Sequence, residues 1–109
     1  MTSAAQYDEL DQQQHGTWLV TTESGTIYEI RVSESRVEMI RHPAIDDDAR
    51  DQYALYRDEL EIRCEIGPVR LGEPAIIVFI RDDRMDMPGY IATTRRTTPV
   101  TRILWTTGR

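Results

Sequence analysis

Gly16-Thr17-Trp18-Leu19-Val20-Thr21-Thr22-Glu23-Ser24-Gly25-Thr26-Ile27-Tyr28-Glu29-Ile30-Arg31-Val32 sets two β-rich runs on either side of Ser24-Gly25. The second run alternates. Tyr28, Ile30 and Val32 share one face, and Glu29 and Arg31 the other, the period of a half-buried strand. Trp18 and Val20 supply the facing pair. Glycine takes a positive φ without a steric penalty, so Ser24-Gly25 marks a hairpin. A second turn at Ser33-Glu34-Ser35 leads to Arg36-Val37-Glu38-Met39-Ile40-Arg41, where Val37 and Met39 continue the inward set. The expectation is a three-stranded meander.

Downstream, His42-Pro43 ends the meander, because proline removes a ladder donor and biases its predecessor away from helix. In 44–59, Asp46-Asp47-Asp48 suits a helix start, and Ala49, Tyr53, Tyr56 and Leu60 recur near helical spacing. A short helix over about Asp47 to Arg57 is expected, with a loop and a strand from Leu55 as the alternative. Leu60 to Ile66 alternates again. Gly67-Pro68 and Gly72-Glu73-Pro74 are turns around Val69-Arg70-Leu71. Ala75-Ile76-Ile77-Val78-Phe79-Ile80 is continuously apolar and reads as a central strand buried on both faces. A polar loop, 81–89, precedes two expected strands, Tyr90 to Thr94 and Val100 to Trp105, joined by Arg95-Arg96-Thr97-Thr98-Pro99.

The pattern predicts a mainly β protein, a small antiparallel barrel or sandwich of about six to seven strands, with one short helix or long loop near 46–58. Closure is favoured because it leaves no open sheet edge. The expected core is Trp18, Val20, Tyr28, Ile30, Val37, Met39, Ile76, Val78 and Ile103. Upstream, residues 1–15 carry Asp8, Glu9 and Asp11 before three glutamines and read as a flexible acidic arm; 16–109 form a single β domain. Tyr7 and Leu10, three apart, are the arm's only anchors.

Length agrees with one domain: 109 residues, 39% apolar, enough for one modest core without a large cleft beside it. All 13 basic residues are arginine and none is lysine. Lysine-based Schiff-base and Walker-type phosphate chemistry are thereby excluded. The one cysteine, Cys64, shares the apolar side of its run with Ile62 and Ile66 and reads as a small buried hydrophobe. Residues 1–14 have no apolar signal region, and no run is long enough to cross a membrane. A cytoplasmic location without membrane association is expected.

Three stretches carry a resemblance: Gly16-Thr17-Trp18-Leu19-Val20-Thr21-Thr22 before Ser24-Gly25-Thr26; Val69-Arg70-Leu71-Gly72-Glu73-Pro74-Ala75; and Arg95-Arg96-Thr97-Thr98-Pro99-Val100-Thr101-Arg102-Ile103. Over residues 16–105 the chain resembles small, lysine-free, arginine-rich β proteins of actinobacteria and their phages. The resemblance implies a small β domain. It assigns no functional residue.

No catalytic motif is present. Asp46-Asp47-Asp48 near His42, and Asp82, Asp83 and Asp86 among Arg81 and Arg84, read as solvated charge and not as metal sites. No metal and no cofactor are expected. Charge is uneven: residues 1–54 hold four arginines and eleven acids, whereas 91–109 hold Arg95, Arg96, Arg102 and Arg109 and no acid. Two readings follow. One is a non-enzymatic protein-interaction module, a phage- or prophage-encoded modulator of a host or cognate protein. It would bind through Arg95 and Arg96 at a turn and through Met85 and Met87 at a loop tip. The other is a small-barrel nucleic-acid binder using Arg95, Arg96, Arg102 and Trp105. Oligomeric state stays open.

Overall fold

A computed structural model describes residues 4–43, 61–81 and 86–106. Among the described residues every regular element is a strand: β1 (Ala4–Gln6), β2 (Gly16–Thr22), β3 (Ile27–Val32), β4 (Val37–His42), β5 (Ile62–Ile66), β6 (Pro74–Phe79) and β7 (Thr93–Thr106). Strands β2 to β7 pair antiparallel in sequence order, and β7 returns to pair with β2. The result is a closed six-stranded barrel, and β1 is an extra strand beside the end of β7. The expectation of a small mainly β barrel holds. The helix or loop expected near 46–58 lies outside the described residues.

The meander forms as the alternation requires. Trp18 pairs with Ile30, and Ile30 with Met39; all three are essentially inaccessible to solvent. Gly25 turns the first hairpin with φ +89°. Val37, expected inside, is half-buried. In β5, Ile62 and Cys64 face the core. Burial, reinforced by the charges of Glu38 and Glu65, pushes the Cys64 thiol up to about 12. It is therefore a poor nucleophile at neutral pH.

β6 corrects an expectation. Its buried residues are Ala75, Ile77 and Phe79. Ile76 and Ile80 are exposed and Val78 is half-buried. A barrel wall has only one packed side, so a continuous apolar run buries one alternating set and turns the other to solvent.

The C-terminal region corrects another. The two expected strands with a joining turn are one fourteen-residue strand, β7. Residues 95–99 contain no glycine, and the threonines favour extended backbone. Pro99 is accommodated because it lies opposite Pro74 at a shift of register, where neither is needed as a donor. There the Thr97 hydroxyl accepts from the Ala75 amide at 2.9 Å, and the Val100 amide donates to the Glu73 carbonyl at 2.9 Å. A second shift lies opposite Thr21 and Thr22. These irregularities bend β7, so its first half pairs with β6 and its second half with β2.

The stretch read as a flexible arm is built into the structure from residue 4. β1 pairs with Leu104 to Thr106 of β7. The Leu10 amide donates to the Val69 carbonyl, and the Leu71 amide to the Asp8 carbonyl, each at 2.9 Å. Leu10 is buried, and Tyr7 packs on the core. Two anchors suffice because each enters a place already lined by Val69, Trp18 and Trp105 and does not have to build one.

Candidate interaction surface

The outward side of β6 is a row of apolar groups, Ile76, Val78 and, just past the strand, Ile80. Ile76 is 37% exposed and Ile80 46%. On one side lies β5, whose Arg63 and Glu65 face outward, with Glu61 just before the strand; all three are exposed. On the other lies β7, with Thr94, Arg96 and Thr98 exposed. Register sets Glu65 and Thr94 on either side of Val78, and Arg96 beside Ile76. Ile91, 85% exposed, and Ala92 lead into β7. They border an open depression of about 550 Å³ that runs to Glu61, Arg63, Phe79 and Ile80. An apolar strip is thus flanked by a strand that bears both signs of charge and by one that bears arginine and no acid. Among the described residues, Arg63, Glu65, Arg96 and Arg102 have no ion-pair partner.

The residues singled out from sequence fall in different places. Arg95 and Arg96 are not at a turn. They sit mid-strand, opposite Ile77 and Ile76, and point to opposite sides as adjacent strand residues must. Arg95 is half-buried, its guanidinium 5.0 Å from the centre of the Phe79 ring. Only Arg96 joins the outer surface; Arg102 is exposed on β7 further along. Trp105 is half-buried in an aromatic cluster, 6.5 Å from Tyr7 and 6.4 Å from Trp18 between ring centres. Its indole N–H donates to the His15 carbonyl at 3.2 Å. It is not the free stacking surface expected of it, because β1 and Tyr7 close over that end of β7. Met87 is exposed; Met85 lies outside the described residues. The Tyr90 hydroxyl, three residues past Met87, accepts from the Arg81 amide at 2.8 Å.

Sequence reasoning missed Ile76, Val78, Ile80 and Ile91 as surface. A signal was present. A strand buried on both faces needs a layer on each side, and the sequence offers strands enough for only one closed wall.

The outward side of β3 contrasts with this surface. There Glu29 accepts from Arg31 at 2.7 Å and contacts His42 at 3.2 Å, while Arg31 also donates to Glu61 at 2.9 Å. Partial burial raises the Glu29 pKa, but the bonds and charges of Arg31 and His42 outweigh it and leave it lowered. The bond from Glu29 more than offsets desolvation at Arg31 and raises that pKa.

Among the described residues, no cluster of His, Cys, Asp and Glu is placed to hold a metal ion, and no helix is long and apolar enough to cross a membrane. In comparisons with known proteins, no family model, curated protein or solved structure matches this chain.

Proposed function

We propose that the protein is a non-enzymatic protein-interaction module that docks through the outward face of β5, β6 and β7. The observation that supports this is the row of exposed Ile76, half-buried Val78 and exposed Ile80, set between Glu65 and Arg96, charges of opposite sign with no ion-pair partner among the described residues. Apolar surface gains roughly 25 cal/mol per Å² on leaving water. The flanking Glu65 and Arg96 then select a partner by charge. A protein surface is the ligand class that offers apolar area and both signs of charge together.

The experiment is cross-linking of the purified chain in a lysate of its native cell, wild type against Ile80→Asp, read by mass spectrometry. The expected result is a stoichiometric protein cross-link, to another copy or to a different protein, that Ile80→Asp loses. No cross-link with either chain, or the same cross-link with both, overturns the reading.

Nucleic-acid binding is a second reading. It is favoured by Arg96 and Arg102, exposed on a strand without acids and without an ion-pair partner among the described residues. It no longer has Arg95 or Trp105 to draw on. It requires affinity for an oligonucleotide at about 50 mM salt that falls steeply with added salt. Fluorescence anisotropy with labelled single and double strands decides it.

A further inference from the structure

We infer that the partner is a second copy of this chain, joined face to face across β6 with the two-fold axis along that strand. This rests on the protein-interaction reading above and names its partner. The argument is charge complementarity. The outer surface is a stripe: β5 with Arg63 and Glu65, and Glu61 held by Arg31 of its own chain, then the apolar row of β6, then β7 with Arg96 and Thr94 and no acid, so that the complementary pair is Glu65 and Arg96. A two-fold axis along β6 exchanges left and right and preserves position along the strand. Each copy's β5 then faces the partner's β7, and the isoleucine rows meet in the middle. Arg96, one diagonal step along the ladder from the level of Glu65, reaches the partner's carboxylate. An axis across the strands would set β5 on β5 and β7 on β7, leaving Arg96 no acid to face, since β7 carries none. An interface of this kind is isologous, with one patch used twice.

The same stripe explains why Glu65 and Arg96 have no ion-pair partner among the described residues. The three strands share one face, but the isoleucine row lies between the two charges. Packed sheets stand about 10 Å apart, a gap that a glutamate and an arginine reaching from opposite sides can span. Three strands joined by ladders of three and five paired positions make a small interface, so association is expected in the micromolar range.

The test is sedimentation equilibrium of the whole chain from about 10 µM to about 1 mM, a range that brackets a small interface. The expected result is a mass that rises from one chain to two. Ile80→Asp is expected to weaken association at least about tenfold, equivalent to about 1.4 kcal/mol. It should leave the melting temperature nearly unchanged, because the side chain is outside the core. Glu65→Arg and Arg96→Glu should each weaken it, and the double variant should recover most of the loss, since the coupling is pairwise. A mass of one chain throughout overturns the proposal, as does a double variant no better than the singles. A one-chain mass with a different protein cross-linked in the lysate, lost on Ile80→Asp, overturns the dimer but keeps the interaction reading. A one-chain mass with no cross-link overturns both. Marked destabilisation by Ile80→Asp overturns the dimer too, because it places that side chain under cover of its own chain.

Discussion

β3 and β6 are strands of equal length with similar inward sides and opposite outward ones. β3 buries Tyr28, Ile30 and Val32; β6 buries Ala75, Ile77 and Phe79. Outward, β3 carries Glu29 and Arg31, whose charges are answered by each other, His42 and Glu61. Outward, β6 carries Ile76 and Val78, followed by Ile80, and is flanked by Arg63, Glu65 and Arg96, which have no ion-pair partner among the described residues. The inward sides make the barrel. The outward sides differ in whether the chain completes its own interactions, and the side that does not is where a partner gains most.

The largest expected effects are on the inward sides, where the two strands should behave alike. Ile30→Ala and Ile77→Ala should each cost about 2–4 kcal/mol in urea unfolding, through lost burial and the cavity left behind. A small effect at Ile77 with a large one at Ile30 would break the equivalence and reverse the facing of β6. Gly16, at φ +136°, is next. A Cβ there would lie 2.8 Å from the Thr106 carbonyl oxygen and from the Trp105 indole nitrogen. Gly16→Ala should cost about 1–3 kcal/mol from backbone strain and displacement of Trp105. Loss of tryptophan fluorescence structure before global unfolding would locate the damage at the β1–β7 end.

The two adjacent arginines offer a finer version of the same contrast. Arg95→Ala removes a cation from the Phe79 ring and should cost about 0.5–1 kcal/mol. Arg96→Ala should leave the melt within about 0.5 kcal/mol of wild type. Equal effects would mean that their inside–outside assignment is wrong.

The ion network on β3 predicts acid sensitivity. The Glu29 pKa in the folded protein lies below its ordinary 4.5. Its stabilisation is therefore complete above that value and is lost as pH falls through the lower, folded one. Glu29→Gln should remove about 1 kcal/mol or less at neutral pH, the scale of exposed ion pairs. It should also flatten the fall in melting temperature below pH 4.5. A variant that retains the full acid slope would assign that slope to other carboxylates. The smallest effect is on the outward side of β6, where Ile76→Thr should move stability by under about 0.5 kcal/mol. A larger loss would show that this side is packed.

The meander, its two turns, the buried role of Cys64 and the closure of strands into a small barrel could be read from local pattern. Alternation states which residues share a side, and Ser24-Gly25 states where the chain reverses; both are properties of neighbours in sequence. The candidate surface could not be read in the same way. In Ala75 to Ile80 both alternating sets are apolar, so facing is decided by what packs against the strand, and the barrel interior has room for only one set. Arg95-Arg96-Thr97-Thr98-Pro99 carries turn-like polarity. It becomes strand because β6 lends a ladder that tolerates Pro99 at a register shift opposite Pro74. Tyr7 and Leu10 are too few to hold a segment alone, yet they are ordered because Val69 and two tryptophans from distant parts of the chain already form their sites. Hydrophobic pattern determines strands β2 to β6, while pairing makes β1 from the arm and joins the last two expected strands into β7. Closure of the wall, a contact between residues far apart in sequence, decides which side of each strand meets water.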